Sequence, residues 1–519
     1  MIRRYCRRLL LPALLLAPCI AHAQTAPQTT AEAEQRAHIE QQLQELLRSR
    51  QDLSAMQQKM QQQMADFNAR IDALEAELGK APAKDEVAKT APPSEGEIAR
   101  LATPPTAQET TGEAASGPGP ENQGPFKPGT GLVLAEGENA GLALGVNGYV
   151  RYLNQGALNS TYTDAFGRTF NIRQREDVQL NRLQVQFRGW MFDPKFRWTF
   201  YVWTQNPSQG DPAQVVVGGN INYTVSDALR LWAGIFSVPS TRSTAQSFPN
   251  WLSIDHRDMA DEFFRGSYSQ GIQATGKLPL RLFYNVSVTD NLSILGVSAS
   301  QLGFGLNTYS GALYWMPTTG EFGPGFGFGD YEYHKDLATL FGVHFTRSRE
   351  NSQDQPSTNT IENVQLRLSD GTVIFTPNAF DTGALVKQAT YKMMALDAGL
   401  KYRGWSIDGE YYTRWINHFN VIGTIPVTNL YDTGFQMLLS GMLIQKELQA
   451  YVIGSAVFGQ YGEPWDATMG LTYFPFNFKQ VRLNAEVIYM HHSPIGYTAV
   501  PYVVGGTGWV GTFNVGTWF

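Results

Sequence analysis

The chain has 519 residues, a net charge of -6 at pH 7 and only 17% charged residues. Its 40 basic and 46 acidic residues give no basic excess, so the sequence lacks the electrostatic footprint of a nucleic-acid-binding protein. After the first twenty residues, no stretch approaches the roughly 20 apolar residues that a membrane-spanning helix requires. Helical membrane spans are therefore excluded, whereas membrane-spanning strands are not.

The N-terminus has the pattern of a secretory signal peptide. Four arginines within the first eight residues precede an apolar run over Leu9–Ala17, and Ala-His-Ala at residues 21–23 matches a cleavage site before Gln24. We therefore predict that residues 1–23 are a signal peptide and that the mature protein is exported.

The two cysteines, Cys6 and Cys19, both lie in this predicted signal peptide. The mature chain would then contain no cysteine, which excludes disulfides and thiol chemistry. Cleavage before Cys19, as in a lipoprotein, is the alternative, but Pro18 stands where a small residue is expected.

Residues 24–79 carry a heptad pattern. Apolar residues recur at alternating spacings of four and three between Ile39 and Leu78, with Arg50 and Gln57 at two positions of the seam. Such a pattern is typical of a coiled coil, and polar seam residues can fix its register. We predict a self-associating coiled-coil helix; the alternative is a single amphipathic helix that lies on its own protein.

Residues 80–135 are rich in Pro, Ala, Thr, Gly and Glu, as in APPSEGE and ASGPGPENQGP. This composition predicts a semi-extended, disordered linker between the coiled coil and the remainder of the chain.

From residue 136 to residue 519 the hydrophobic period is two. In NRLQVQFRG, for example, Leu183, Val185 and Phe187 alternate with polar residues, as in a strand with one buried face. We predict sixteen strands, centred near residues 147, 184, 200, 218, 232, 273, 284, 312, 343, 396, 409, 437, 453, 470, 485 and 513.

The connections between these strands alternate in length. Tight turns such as FDPK, VSDA and YRGW alternate with longer segments such as Asn154–Asp177 and Trp415–Tyr431. One exception, PTTGEFGPGFGFGDYEYHKD, is long where a short turn is due. Short turns at one end and long loops at the other are what outer-membrane barrels show. We therefore predict an all-β transmembrane barrel of about 16 antiparallel strands in the bacterial outer membrane, with an N-terminal periplasmic coiled-coil helix.

One face of each strand is predicted to meet lipid. Residues 130–519 contain only 8 lysines beside many leucines, valines and aromatic residues, which is unlike a surface in water. Aromatic residues near strand ends, including Trp190, Trp405, Phe474 and Phe476, are predicted to form the interfacial girdles of such a barrel.

The other face is predicted to line a water-filled lumen, since a barrel of this width does not pack shut. Alternation places nine basic residues there: Arg151, Arg182, Arg188, Arg197, Arg230, Arg281, Lys401, Arg414 and Arg482. Four acidic residues share that face: Asp397, Asp408, Glu410 and Glu486. A basic lumen favours anions. The alternative is that these arginines pair with carboxylates and neutralise one another.

The segment Ser237–Tyr268 between the fifth and sixth strands is the candidate for a constriction loop inside the lumen. Arg242, Arg257 and Arg265 would add anion sites to it. Four carboxylates lie among them, so the sequence leaves the selectivity of this loop open: Asp255, Asp258, Asp261 and Glu262.

Catalytic and metal-binding patterns are missing from the barrel sequence. It contains no GxSxG, and no Ser or Asp forms a recognisable arrangement with His334, His344 or His418. The pair His491–His492 has no further ligand at a suitable spacing. We predict no enzymatic activity, no metal and no cofactor. A structural tether between the outer membrane and the cell wall is the alternative to a channel.

Several segments resemble the phosphate- and pyrophosphate-selective porin family (porin O/P type) over roughly residues 140–519. They are GNINYTVSDALRLWAGIFSVPSTR, FFRGSYSQGIQATGKLPL, KYRGWSIDGEYYTRW and the C-terminal third. The resemblance implies a trimeric outer-membrane porin for small anions or other hydrophilic solutes, whose third loop folds inward. Phosphate-specific members have an arginine ladder and a lysine cluster at the constriction. This chain has no lysine between Lys195 and Lys277, so phosphate specificity is not implied.

The chain ends on GWVGTFNVGTWF, an alternating strand with Phe519 last. We predict that this strand pairs with the first strand near Val146 and closes the barrel, because an open sheet edge is not stable in lipid. A terminal Phe also resembles the signal that the barrel assembly machinery recognises.

Overall fold

A computed structural model describes residues 126–127, 131–204, 215–247, 249–298, 301–303, 305–356 and 364–518. The predicted signal peptide, the predicted coiled coil, most of the predicted linker and Phe519 lie outside these residues. Among the described residues, no helix has the length and apolarity that a membrane crossing requires.

Sixteen antiparallel strands among the described residues form one closed ring of paired strands. Each strand pairs with the next one in the chain, and the last strand pairs with the first. The strands are β1 (Ala140–Leu158), β2 (Glu176–Met191), β3 (Asp193–Thr204), β4 (Val215–Ser226), β5 (Leu229–Ser237), β6 (Tyr268–Leu278), β7 (Leu282–Thr289), β8 (Thr308–Trp315), β9 (Ala338–Asn351), β10 (Leu385–Tyr402), β11 (Trp405–Ile422), β12 (Asn429–Ile444), β13 (Leu448–Phe458), β14 (Trp465–Tyr473), β15 (Val481–His491) and β16 (Gly508–Trp518). The predicted sixteen-stranded barrel is confirmed, and every predicted strand centre falls within one of these strands.

Strand β10 illustrates how the alternating sequence builds the wall. Asp397 and Lys401 are buried in the interior, whereas Leu396 and Leu400 are exposed on the outside. Because exposed leucines alternate with buried charges, the wall is apolar outside and polar inside, the reverse of a water-soluble protein.

The predicted ring closure involves the last strand. Val515 of β16 lies opposite Val150 of β1, and both side chains are exposed on the outer face. The neighbouring Asn514 and Arg151 are paired in the same register and are buried inside. The period of two thus continues across the closure without a break.

Aromatic side chains lie on the outer face near both ends of the strands. The rings of Trp415 and Tyr431 are 5.6 Å apart near the long loops, and those of Trp315 and Phe341 are 6.0 Å apart near the short turns. Among the predicted girdle residues, Trp405 is exposed as expected.

Phe474 is a correction to the predicted girdle. Its side chain is buried, and its ring lies 4.7 Å from the ring of Tyr331 inside the barrel end. The error arose because Phe474 follows β14 in a turn, where strand alternation no longer fixes the direction of a side chain.

The connections are short at one end of the barrel and mostly long at the other. Phe192 alone joins β2 to β3, whereas long segments of sequence, 238–267 and 352–384, separate β5 from β6 and β9 from β10 at the opposite end. The predicted exception to this rule is confirmed: residues 316–337, which join β8 to β9 at the short-turn end, are a long connection. The expected long loop from Trp415 to Tyr431 is wrong, because only residues 423–428 separate β11 from β12.

A short strand, Gly131–Glu136, precedes the barrel and pairs with the beginning of β1, with Leu132 opposite Leu144. Its first residue requires glycine. Gly131 has φ +98°, and a Cβ there would lie 2.1 Å from the carbonyl oxygen of Leu144. Strand structure therefore begins before the predicted barrel boundary at residue 136.

Closure of the ring can be tested by joining β1 to β16. Opposed residues on neighbouring strands have Cβ atoms about 5 Å apart, so Val150→Cys and Val515→Cys should cross-link with an oxidant or a short bifunctional thiol reagent. The linked chain should migrate differently from the open chain in a denaturing, non-reducing gel. A Val150→Cys and Leu471→Cys pair, on strands that are not neighbours, is the control. Equal cross-linking of both pairs would contradict the closure.

Candidate functional site

The loop between β5 and β6, residues 238–267, lies inside the barrel; we call it the inner loop. Asp255 accepts a hydrogen bond from Arg151 of β1 at 2.9 Å. The backbone carbonyl of Trp251 accepts one from Arg482 of β15 at 3.1 Å. Arg242, on another part of the loop, donates to Asp408 of β11 at 2.6 Å. These contacts with separate parts of the wall fix the inner loop across the lumen.

The three arginines predicted to offer anion sites on this loop are all buried next to carboxylates. Arg257 and Arg265 both contact Glu262, at 3.2 and 2.7 Å. Arg242 contacts Asp408 and lies 3.7 Å from Asp397. Their charges are therefore balanced by neighbouring carboxylates.

A six-residue helix, Met259–Phe264, anchors the inner loop to the wall. Asp258 caps the helix by accepting a hydrogen bond from the backbone N–H of Asp261 at 3.0 Å. The ring of Phe264 stacks on that of Tyr412 of β11 at 5.1 Å and an angle of 17°. The helix belongs to an apolar cluster that also includes residues of the loops before β10 and β16, such as Tyr502. Apolar packing therefore fills the lumen near the long loops.

A second segment enters the lumen from the opposite end. Residues 316–337 between β8 and β9, which we call the inner turn, contain the glycine-rich sequence GEFGPGFGFGD. Lys401 of β10 donates a hydrogen bond to the carbonyl of Phe322 at 2.9 Å. Gly329 has φ +75°, and a Cβ there would lie 2.9 Å from the side chain of Leu252 in the inner loop. The glycines thus allow the inner turn to approach the inner loop closely.

The inner loop and the inner turn are bonded to each other. Arg242 donates from Nε to the carbonyl of Phe326 at 2.8 Å. The backbone N–H of Phe328 donates to the carbonyl of Asn250 at 3.0 Å, and the Asn250 side chain donates to the carbonyl of Pro324 at 3.2 Å. The lumen therefore contains one continuous partition built from both ends of the barrel.

His334 ties the end of the inner turn to the barrel. Its Nδ1 contacts Asp330, and its Nε2 lies 3.0 Å from Glu321. Asp330 also accepts a hydrogen bond from the backbone N–H of Gly404, in the turn between β10 and β11, at 2.7 Å. Burial favours the neutral ring, but the hydrogen bonds to the two carboxylates outweigh it and raise the pKa of His334 to about 9.

Glu332 of the inner turn forms a second tie. Burial raises the pKa of its carboxyl, but the charges of Lys479 and Lys401 outweigh burial and lower the pKa to about 2. Lys479, in the turn between β14 and β15, lies 3.0 Å from this carboxylate.

The four acidic strand residues predicted for the lumen all face the barrel interior, and all four are buried there. Asp397 and Asp408 lie beside Arg242. Glu410 accepts a hydrogen bond from the backbone N–H of Arg242 at 3.0 Å. Glu486 accepts one from the Thr512 hydroxyl at 3.2 Å. These carboxylates are therefore removed from the water of the lumen.

Five of the nine basic residues predicted for the lumen are buried, and four of them bind acidic side chains or loop carbonyls; the fifth, Arg182, lies against the ring of Trp203. Arg151 binds Asp255, and Arg414 binds Asp432 of β12 at 2.6 Å. Arg482 and Lys401 donate to backbone carbonyls of the inner loop and the inner turn. Their role in the structure is to satisfy carboxylates and carbonyls within the lumen.

Arg182 and the other four predicted basic residues differ in position. Arg182, Arg188, Arg197 and Arg230 lie on the inward face of β2, β3 and β5. Arg281 is a correction: it is exposed in the turn before β7 and donates to carbonyls of the inner turn. The turn Pro279–Arg281 ends the strand pattern earlier than the sequence suggested.

An open cavity of about 500 Å³ remains beside β2 and β3. Three basic residues, Arg182, Arg188 and Lys479, contribute to its lining, with the amides Gln184 and Gln186 between the two arginines. Within the described part of the chain, no Asp or Glu lines this cavity.

Aromatic rings complete the cavity wall. The guanidinium of Arg182 lies over the ring of Trp203 at 4.6 Å, and that of Arg482 lies over Trp518 at 4.4 Å. Such stacking holds a guanidinium in one orientation. Sequence reasoning missed Lys479 and both tryptophans, since Lys479 is in a turn and alternation does not predict which inward residues stay uncovered.

Two groups of buried histidines and carboxylates have the spacing of a metal site: Asp255, His256 and Glu486, and His344, Asp397 and Glu410. Arginine already balances both groups, because Arg151 binds Asp255 at 2.9 Å and Arg242 lies 3.7 Å from Asp397. A divalent cation at either group would lie next to a positively charged guanidinium and would be repelled by it. Neither group therefore fits a divalent cation.

No family model matches the chain, and no curated protein matches it. Solved outer-membrane proteins resemble its barrel. An anion-selective porin from Comamonas acidovorans matches with 10% identity and a TM-score of 0.46, covering 73% of this chain and 99% of that one. OmpT of Vibrio cholerae matches with 9% identity and a TM-score of 0.45, over 74% and 99% of the two chains. The channel DcaP of Acinetobacter baumannii matches with 9% identity and a TM-score of 0.44, over 73% and 98%.

These comparisons describe a likeness of the barrel alone, because the identities and TM-scores are low. The resemblance to the phosphate- and pyrophosphate-selective family stays a prediction from the sequence.

The tie made by His334 predicts a pH dependence. A pKa raised from 6.5 to about 9 gives a contribution to stability that is complete below pH 6.5 and is lost as the pH rises through about 9. The difference in free energy of unfolding between the unaltered chain and His334→Gln should therefore be larger at pH 6 than at pH 10. Urea unfolding in detergent micelles measures it. His418→Asn, at an exposed strand end, is the control, and a difference that is equal at both pH values would refute the tie.

Proposed function

We propose that this chain is an outer-membrane porin, a water-filled diffusion channel for small hydrophilic solutes that favours anions. The observation that carries the proposal is the cavity beside β2 and β3, whose lining includes Arg182, Arg188 and Lys479 and, among the described residues, no carboxylate. The closed barrel forms the wall of the proposed channel, and the basic lining of the cavity would give it a preference for anions.

The outer face supports a position in a membrane. Large apolar side chains such as Phe200, Met437 and Met469 are more than half exposed on the outside of the strands. A closed barrel pairs its strand edges, so its backbone can lie in lipid without unsatisfied hydrogen-bonding groups. Aromatic residues near both strand ends fit the two interfaces of a bilayer.

Strand β2 offers a stepwise path for an anion. Arg182 and Arg188 are six residues apart on one face, so their Cα atoms are about 20 Å apart along the strand. Gln184 and Gln186 lie between them on the same cavity wall and can donate amide hydrogen bonds. An anion leaving one guanidinium thus meets polar donors before it reaches the next.

The strength of such sites suits conduction. An anion about 4 Å from a guanidinium at a partly hydrated site gains about 4 kcal/mol before screening. Water and salt weaken this attraction. Conduction requires sites that attract an ion without holding it, and two weak sites in series meet that requirement.

The positions of the acidic residues explain why their negative charges do not cancel the proposed preference for anions. Asp397, Asp408 and Glu410 are buried beside the inner loop, so they add little negative potential to the open water. The roughly neutral barrel can in this way contain a basic path.

Phosphate is one candidate solute within this class. Lys479, the one lysine among the described residues that line the cavity, already lies 3.0 Å from Glu332, which favours a general anion path over a dedicated phosphate site. We further propose a homotrimer with a periplasmic N-terminus, supported by the heptad pattern of residues 24–79, and recognition of the C-terminal strand by the barrel assembly machinery.

Reversal potentials in planar bilayers under a KCl gradient test the proposal. The unaltered chain should favour chloride, and Arg182→Gln with Arg188→Gln should lower the permeability ratio of anion to cation by roughly two- to tenfold, equivalent to about 0.4–1.4 kcal/mol. Arg403→Gln, at an exposed turn outside the cavity, removes the same charge and should leave the ratio unchanged. A cation preference, or equal effects of all these changes, would rule out the anion path.

A further inference from the structure

Three basic side chains lie on the outer face of β9 and β10, near the long loops. Arg347 and Arg349 are exposed on β9, on the same side as the outward Phe345, whereas the intervening Ser348 is buried. Lys392 of β10 is directly opposite Arg347 in the strand pairing. All three therefore point away from the lumen and its cavity.

This arrangement is electrostatically unfavourable by itself. Directly opposed residues have Cβ atoms about 5 Å apart and diagonal neighbours about 7–8 Å apart, and like charges at such positions destabilise a sheet. In the described residues, none of the ion pairs involves Arg347, Arg349 or Lys392. Arg349 donates to the neutral side-chain amide of Gln388. The three charges therefore lack a compensating anion from the described chain.

The nearby carboxylate of Glu350 does not compensate these three positive charges. Glu350 lies between Arg349 and Asn351 in sequence, but its side chain is buried on the inner side. It accepts hydrogen bonds from the backbone N–H of Leu292 at 3.0 Å and from Ser348. Strand alternation thus separates it from the three basic residues.

The neighbours of these residues indicate their depth on the outer wall. Tyr309 of β8 is opposite Arg347, and Trp415 of β11 is opposite Lys392. Trp415 in turn contacts Tyr431 of β12 at 5.6 Å. Rows of Tyr and Trp mark the boundary between the hydrocarbon and the headgroups of a bilayer. The basic residues therefore lie where lipid phosphates would be.

We propose that Arg347, Arg349 and Lys392 bind the phosphate group of an anionic membrane lipid on the outside of the barrel. Arginine can bind phosphate oxygens in a bidentate manner, and lysine adds a point charge. The outward side chains of Phe345 and Met394, one step further into the wall, provide an apolar surface for the acyl chains. This apolar continuation favours a lipid over free phosphate. The proposal rests on the membrane position of the proposed porin.

Native mass spectrometry of the full chain in detergent micelles can test the proposal. Short-chain phosphatidic acid, phosphatidylcholine of the same chain length and inorganic phosphate are the three probes. The unaltered chain should retain phosphatidic acid at a concentration at least about tenfold lower than phosphatidylcholine, which corresponds to about 1.4 kcal/mol. Inorganic phosphate at the same concentration should not displace it.

Variants identify the site. Arg347→Gln with Lys392→Gln should abolish this preference, whereas Arg347→Lys with Lys392→Arg, which keeps both charges, should retain most of it. Arg403→Gln with Lys446→Gln removes one arginine and one lysine from exposed short turns and should behave like the unaltered chain.

Three results would overturn the lipid site: no preference for phosphatidic acid, an unchanged preference in the Arg347→Gln, Lys392→Gln variant, or equal competition by inorganic phosphate. Channel formation by the same variant in phosphatidylcholine bilayers shows that its barrel is folded. It also separates the two proposals, since a chain that binds the lipid without conducting would refute the porin and leave the lipid site standing.

Discussion

Arg242 connects the inner loop, the inner turn and the barrel wall. The arrangement of the lumen depends on this connection. The guanidinium of Arg242 contacts Asp408 of the wall at 2.6 Å and the carbonyl of Phe326 in the inner turn at 2.8 Å, while its backbone belongs to the inner loop. Carboxylates enclosed in a barrel must be paired, because an uncompensated buried charge costs several kcal/mol. The partition therefore follows from the need to neutralise the acidic side of the wall.

The open cavity is the part of the lumen that the inner loop and the inner turn do not fill. Inner loop and inner turn occupy the lumen beside the acidic residues of β10 and β11, so water remains beside β2 and β3, where the lining is basic and amide-rich. In the proposed channel, selectivity would depend on which charged residues the inner loop and the inner turn cover and which line the open cavity. Net charge gives no hint of it, since the whole chain is mildly acidic.

The sequence predicted the barrel well because lipid outside and water inside impose a period of two on every strand. The same alternation placed Arg151, Arg182 and Arg414 on the inner face, but it could not tell which of them a loop would cover. It failed where strands end: Arg281 and Phe474 lie in turns, and Lys479 was missed for the same reason. The path of the inner turn depends on glycine conformations and distant partners, which a local pattern does not encode.

Thiol modification during single-channel recording tests whether the conducting path runs beside β2 and β3. Gln186→Cys lies in the proposed path, and Ser440→Cys lies on the inner face of β12, where Ser440 is buried and bonded to Ser406 at 2.9 Å. In a chain that lacks the predicted signal peptide, residues 1–23, and therefore Cys6 and Cys19, the introduced thiol is the single cysteine. A negatively charged methanethiosulfonate reagent should react at position 186 and lower the conductance, and should leave position 440 unmodified. Block through position 440, with no change after modification at 186, would show that the path does not run beside β2 and β3.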